Sequence, residues 1–153
     1  MYKIKALLIF FILGILLNNC GYTPRYNSNE KVNFSIQINN VSGDREFNNL
    51  IKSELSRHNK NTEKTFIVDY DSKYEKSISL KDSAGNTKEY ELKIKINFLV
   101  KTNGSERKII MKETFKIKKM EDAFEESNYE KTIKRNFANL ISERLIFQIS
   151  QMQ

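Results

Sequence analysis

Asn103-Gly104 sits between two alternating runs, and this arrangement constrains the fold more tightly than any other stretch of the chain. Ahead of the pair, Tyr90, Leu92, Ile94, Ile96, Phe98 and Val100 share one face of a strand, while Glu91, Lys93, Lys95, Asn97 and Lys101 share the other. Behind it, Glu106 to Lys118 returns with the same period. Asn-Gly between two such runs is the strongest short hairpin signal, because both residues accept the positive φ of a type I′ turn. A two-residue loop predicts the register: Phe98 faces Ile109, Ile96 faces Met111, Leu92 faces Phe115 and Tyr90 faces Ile117. All four pairs are apolar, so that face is self-consistent. On the other face Lys101 meets Glu106, Glu91 meets Lys116 and Glu89 meets Lys118. Lys95 meets Lys112, with Lys93 and Lys108 nearby, and like charges directly opposite destabilise a sheet by about a few tenths of a kcal/mol.

Upstream, Val32, Phe34, Ile36 and Ile38 alternate with Asn33, Ser35, Gln37 and Asn39, the pattern of a half-buried strand. Ser42, Gly43 and Asp44 stop it and offer a helix cap. Phe47, Leu50, Ile51 and Leu55 then follow at helical spacing, predicting a helix from about Asp44 to Arg57 with one apolar stripe. His58 at its end reads as a favourable cation or cap there, not as a catalytic or metal-binding group. Phe66, Val68 and Tyr70 alternate again, and Ile78 and Leu80 resume the pattern after a polar stretch, predicting a second strand bulged or broken between Asp69 and Ser77. Lys119 to Asn128 is charged. Ser127 or Asn128 is placed to cap a long last helix, whose stripe is Ile133, Phe137, Leu140, Ile141, Leu145 and Ile149, widened by Ile146 and Phe147. Core packing is the ordinary use of such a stripe; its breadth implies more than one contacted surface.

Every predicted strand has one apolar face and both helices have one apolar stripe. The economical solution is an α+β fold, an approximately four-stranded, mainly antiparallel or mixed sheet with two helices packed on one face.

The N-terminus reads differently. Lys3 and Lys5 precede an apolar run from Leu7 to Leu17 that ends at Cys20, the one cysteine in the chain. The run is shorter than the ~20 residues of a spanning helix and has the build of an export signal. We read residues 1–19 as a lipoprotein signal peptide, 20–31 as a lipidated tether and 32–153 as one domain. Cys20 is the lipidation residue. Leu17 fits the usual cleavage motif, and Asn18 and Asn19 depart from it. An uncleaved anchor and a plain signal cut elsewhere are the alternatives. Gly21 follows the cysteine where an aspartate would mark inner-membrane retention, which favours the outer membrane.

The full chain of 153 residues carries +7, and loss of Lys3 and Lys5 with the signal leaves about +5. That balance suits anionic headgroups, acidic glycolipid or an acidic partner. Nucleic acid is not an expected partner of an exported chain. With Cys20 given to lipid, no intrachain disulfide can form, so the fold rests on burial.

The chain resembles the lipopolysaccharide-assembly lipoproteins of the LptE type. The likeness is carried by Cys20-Gly21-Tyr22 after the signal and by the order strand, helix, long hairpin, helix. It extends to Tyr70-Asp71-Ser72, to Glu89-Tyr90-Glu91-Leu92 and to the stretch from Asn136 to Leu145. It covers nearly the whole mature chain. The resemblance implies an outer-membrane lipoprotein facing the periplasm that plugs a large outer-membrane β-barrel (LptD-like), helps it assemble and binds lipopolysaccharide. It implies no enzymatic activity. In that family, basic residues near the turn before the long strand and at the start of the last helix are candidates for lipid contact. Here the turn offers Lys81 and Lys88, while the helix start carries Glu125 and Glu126.

Catalysis has little to stand on. There is no second histidine or cysteine, no Gly-rich phosphate loop and no Gly-x-Ser-x-Gly elbow. No cofactor is expected beyond covalent lipid on Cys20, and no metal. Asp69 and Asp71 read as solvated carboxylates. A tethered hydrolase and an envelope lipoprotein that binds glycan or protein without a barrel remain the other classes. The candidate anion-binding residues are Lys81, Lys93, Lys95, Lys108 and Lys112. Four of them crowd one patch of the open sheet face if the register holds; a merely solvated lysine face is the alternative.

Overall fold

A computed structural model describes residues 34–59 and 62–152. The signal peptide, Cys20 and the tether lie outside the described residues. The elements are β1 (Phe34–Gly43), α1 (Arg45–Ser56), β2 (Lys64–Lys81), β3 (Thr87–Thr102), β4 (Ser105–Lys118) and α2 (Ala123–Ser150). The sheet order is β1-β2-β3-β4, with β1 parallel to β2 and the other pairs antiparallel. The expected α+β architecture is present, and the two helices cover one face.

The hairpin register is the one the alternation predicts. Phe98 pairs with Ile109, Ile96 with Met111, Leu92 with Phe115, Tyr90 with Ile117 and Lys95 with Lys112. The turn type differs. Only Gly104 has positive φ, +85°, and Asn103 does not, as in a type II rather than a type I′ turn. Asn-Gly serves both geometries, because each needs positive φ at its second position.

Burial follows parity. Phe66, Val68, Leu92, Ile96 and Val100 are fully buried beneath Phe47, Ile51 and Leu55 of α1 and Ile141, Leu145 and Ile149 of α2. The spacing of the α1 residues puts one stripe on the sheet. Asp44 caps that helix, its Oδ1 accepting from the Phe47 N–H at 2.7 Å. Gly43 ahead of it has φ +95°, and a Cβ there would lie 1.8 Å from the Ser72 carbonyl oxygen. The adjacent Asp44 N–H donates to that carbonyl at 3.1 Å. This junction fixes where the chain leaves β1 relative to β2.

Two expectations are corrected. β2 is continuous for 18 residues rather than broken between Asp69 and Ser77. Its register irregularities fall later, between Ile78 and Lys81. The polar stretch stays in the sheet because β3 pairs with all of it. On the covered face Tyr74, packed against the core, and Lys76 both find polar partners on α2. For the same reason α2 begins at Ala123, not after Ser127. Asp122 is its cap, with Oδ1 accepting from the Phe124 N–H at 2.6 Å and the Glu125 N–H at 3.3 Å. The first turns leave their apolar residues, Phe124 and Tyr129, exposed and are held by charge.

Candidate functional site

The uncovered face of the sheet is laid out by the pairing. Lys73 of β2, Lys95 of β3 and Lys112 of β4 form one row straight across three strands. At ordinary interstrand spacing that row spans roughly 10 Å. The next row is Glu75, Lys93 and Thr114, and the row on the other side is Asp71, Asn97 and Ile110. Lys73 pairs with Glu75 at 2.5 Å, which raises the ammonium above its ordinary range and lowers the carboxyl. Lys93 pairs with Glu91. Among the described residues neither Lys95 nor Lys112 enters an ion pair.

Of the residues singled out from sequence, Lys93, Lys95 and Lys112 therefore come together. Lys108 faces Leu99, four residues along β4 from Lys112, roughly 13 Å away. Lys81 pairs with Thr87 at the far end of β2, outside the patch, and Lys88 pairs with Asp82 at 3.4 Å. Lys73 was not legible as a member while β2 was read as interrupted. The signal was present: Tyr70, Tyr74 and Ile78 keep one parity, which puts Lys73 on the opposite face.

Beside the basic row lies a shallow hollow of about 340 Å³ lined by Asn40, Val41, Ser42, Asp69, Asp71, Asn97 and Leu99 among others. Exposed apolar groups adjoin it, with Val41 41% and Ile110 62% accessible. Asp69 and Asp71 are not merely solvated. Asp69 accepts from Lys101 Nζ at 2.8 Å, the Asn40 N–H at 2.9 Å and Asn39 Nδ2 at 3.0 Å. The Lys101 bond, then the Asn40 N–H, hold its pKa below the ordinary carboxylate value. Asp71 accepts from Ser42 Oγ at 2.8 Å. Both carboxylates fasten β1 to β2 where β1 shifts register between Ile38 and Val41.

The covered face carries a second charged cluster. Lys76 Nζ donates to Glu126 Oε1 and Glu130 Oε2, each at 2.9 Å, and lies 4.3 Å from the Tyr90 ring centre. Tyr74 donates to Glu130 at 2.8 Å, and Lys134 bonds Glu46 of α1 at 2.6 Å. Glu126 also accepts from the Met120 N–H at 3.1 Å. Burial works to raise the Glu126 and Glu130 carboxyls, and the hydrogen bonds and charge of Lys76 outweigh it, so both lie below their ordinary values. The acidic start of α2 has a structural role: Glu126 meets a lysine that rises from the sheet.

Among the described residues no helix is long and apolar enough to cross a membrane, and no group of three or more His, Cys, Asp or Glu is placed to hold a metal ion.

No family model matches the chain. No curated protein matches it by sequence. Among solved structures, the chain is similar to rare lipoprotein B from Shewanella oneidensis, with TM-score 0.57 and 16% identity over 76% of this chain and 95% of that one. A candidate lipoprotein from Caulobacter crescentus gives 0.48 at 10% identity, over 76% and 89% of the two chains. A minor lipoprotein from Acinetobacter baumannii gives 0.44 at 13%, over 73% and 92%. The four-stranded mixed sheet with two helices is thus a fold this chain shares with rare lipoprotein B.

Proposed function

We propose that this chain is an envelope lipoprotein, anchored by lipid on Cys20 to the outer membrane and facing the periplasm. It works by docking rather than turnover, as the plug subunit of a lipopolysaccharide translocon with a large β-barrel partner. The leader ending at Cys20, the ordered likeness to the LptE type and the fold shared with a protein named a lipoprotein support this reading. The observation that carries ligand binding is the row Lys73, Lys95 and Lys112. Two of its three ammonium groups lack a carboxylate among the described residues, so a phosphate set between them relieves their repulsion. Ile110 and Leu99 alongside offer apolar surface to an amphipathic ligand.

The test is binding of the full-length chain in detergent to purified lipopolysaccharide. Replacing Lys95 and Lys112 by serine weakens it at least about tenfold if two charge-assisted contacts are lost. Unchanged affinity reduces the row to a solvated surface. Mass spectrometry of the mature N-terminus checks the anchor, where acylated Cys20 is expected. Co-purification of a large β-rich outer-membrane protein checks the partner.

A second reading is favoured by the hollow. Asn40, Ser42, Asp71 and Asn97 present amide, hydroxyl and carboxylate groups of the kind that bind sugar hydroxyls, and an envelope lipoprotein that binds glycan without a barrel would use them. Asn97→Ala separates the two, since it abolishes neutral glycan binding and spares phosphate-dependent binding.

A further inference from the structure

Among the described residues β4 is an outer strand of the sheet, and little guards it. It runs 14 residues and pairs with β3 without any register shift. It has no proline or bulge, whereas β1 at the other edge shifts register between Ile38 and Val41. Natural edges are kept from pairing by bulges, prolines, shortness or charge. On β4 only charge remains.

The hairpin dictates which backbone groups are free. Thr102 and Ser105 flank a two-residue loop and pair directly. Such a pair exchanges both of its hydrogen bonds, and the pattern then alternates along the strand. The odd-numbered residues of β4 therefore bond inward to β3. The even-numbered ones, from Glu106 to Lys118, turn their N–H and C=O groups outward.

Side chains follow the same parity. Lys108, Lys112, Lys116 and Lys118 stand on the open face of the edge and are exposed. On the covered face, Ile109, Met111 and Ile117 are buried, while Phe115 is left 41% accessible although its pairing partner Leu92 is fully buried. A strand laid along this edge meets mainly cations on one face and, on the other, an incompletely covered row that is apolar except at Arg107 and at Glu113, with which Arg144 of α2 pairs. Paired antiparallel about Ile110, Lys112 or Thr114, a second copy sets lysine opposite lysine, which is unfavourable. About Met111 it sets Glu106 opposite Lys116, so self-association through β4 in place of peptide binding would overturn the assignment of this edge to a partner.

We propose that β4 is a docking edge for an extended segment of a partner protein in which acidic and apolar residues alternate. The segment adds as a fifth strand, bonding the outward N–H and C=O groups. Its acidic side chains extend the row of Lys73, Lys95 and Lys112, and its apolar ones cover Phe115. Main-chain bonds supply affinity and the alternate side chains supply specificity, as in other strand additions. The inference goes beyond lipid binding and does not depend on it.

The probe is a synthetic peptide of about twelve residues alternating glutamate and valine, added to the full-length chain in detergent. Exchange of the Lys108, Ile110, Lys112 and Thr114 amide protons is expected to slow at least about tenfold, with the odd-numbered amides already protected. Methylating alternate backbone nitrogens of the peptide, at constant charge, is expected to abolish this. Ile110→Pro removes one outward N–H at a position where an edge strand tolerates proline, and is expected to weaken peptide binding at least about tenfold. Equal binding of the methylated or a scrambled peptide, protection along β1 instead, or no binding overturns the proposal. Should Ile110→Pro fail to fold, the methylated peptide decides alone.

Discussion

Lys76 of β2 and Glu126 of α2 meet at 2.9 Å on the covered face of the sheet, at the position where apolar packing would be expected. Glu126 has only 9% of its side chain accessible. Removing one partner from a buried pair leaves an uncompensated charge, at a cost of about 3 kcal/mol. Lys76→Ala is therefore expected to lower unfolding free energy by about that amount in urea titration, and Glu126→Ala by less, about 1 kcal/mol, because Glu130 still holds Lys76. Lys93→Ala, which loses only the exposed pair with Glu91, is expected to cost under about 1 kcal/mol.

The same cluster sets an acid limb. Glu126 and Glu130 have folded pKa values below their ordinary ones, so their stabilising contribution is complete above the unfolded value of about 4.3 and is lost as pH falls through the folded one. Asp69 behaves alike. Stability measured against pH is expected to hold from neutrality down to about pH 5 and to decline below it. Glu130→Gln is expected to shallow that decline, and an unchanged acid limb would contradict the assignment.

At the alkaline side the Tyr70 hydroxyl reports. Burial pushes it up to about 12, and it donates to the Asn48 carbonyl at 3.0 Å. Its contribution is fully present below the ordinary phenol value of about 10 and is lost as pH rises toward the folded one. Ultraviolet titration is expected to show a tyrosine that ionises late, near 12, and Tyr70→Phe is expected to remove that phase.

Gly43 and Gly104 both have positive φ, yet their replacement has different outcomes. At Gly104 nothing lies within 4 Å of a Cβ, so alanine pays only backbone strain of about 1 kcal/mol. At Gly43 the Cβ meets the Ser72 carbonyl at 1.8 Å, and β1 or α1 must move. Gly43→Ala is expected to cost at least about 3 kcal/mol by thermal or urea unfolding. Equal midpoints for the two variants would show that the junction yields.

Period and turn chemistry were enough to determine the hairpin register residue by residue, the α1 stripe of Phe47, Ile51 and Leu55, and the one-sided covering of the sheet. These are local or near-local properties: side chains alternate every second residue in a strand and return every 3.6 in a helix, whatever else the chain does. The opposition of Lys95 and Lys112 followed from the same rule. The parity of Tyr70, Tyr74 and Ile78 places Lys73 on the open face, but only the tertiary pairing of β2 with β3 decided that it stands beside Lys95 and completes the row. Tertiary structure alone decided that α2 starts at Ala123. Lys76 and Glu126 lie 50 residues apart, and opposite charges satisfy one another only once the fold has brought them within reach. Apolar patterning records what water expels, and it is silent about charges whose partners arrive from elsewhere in the chain.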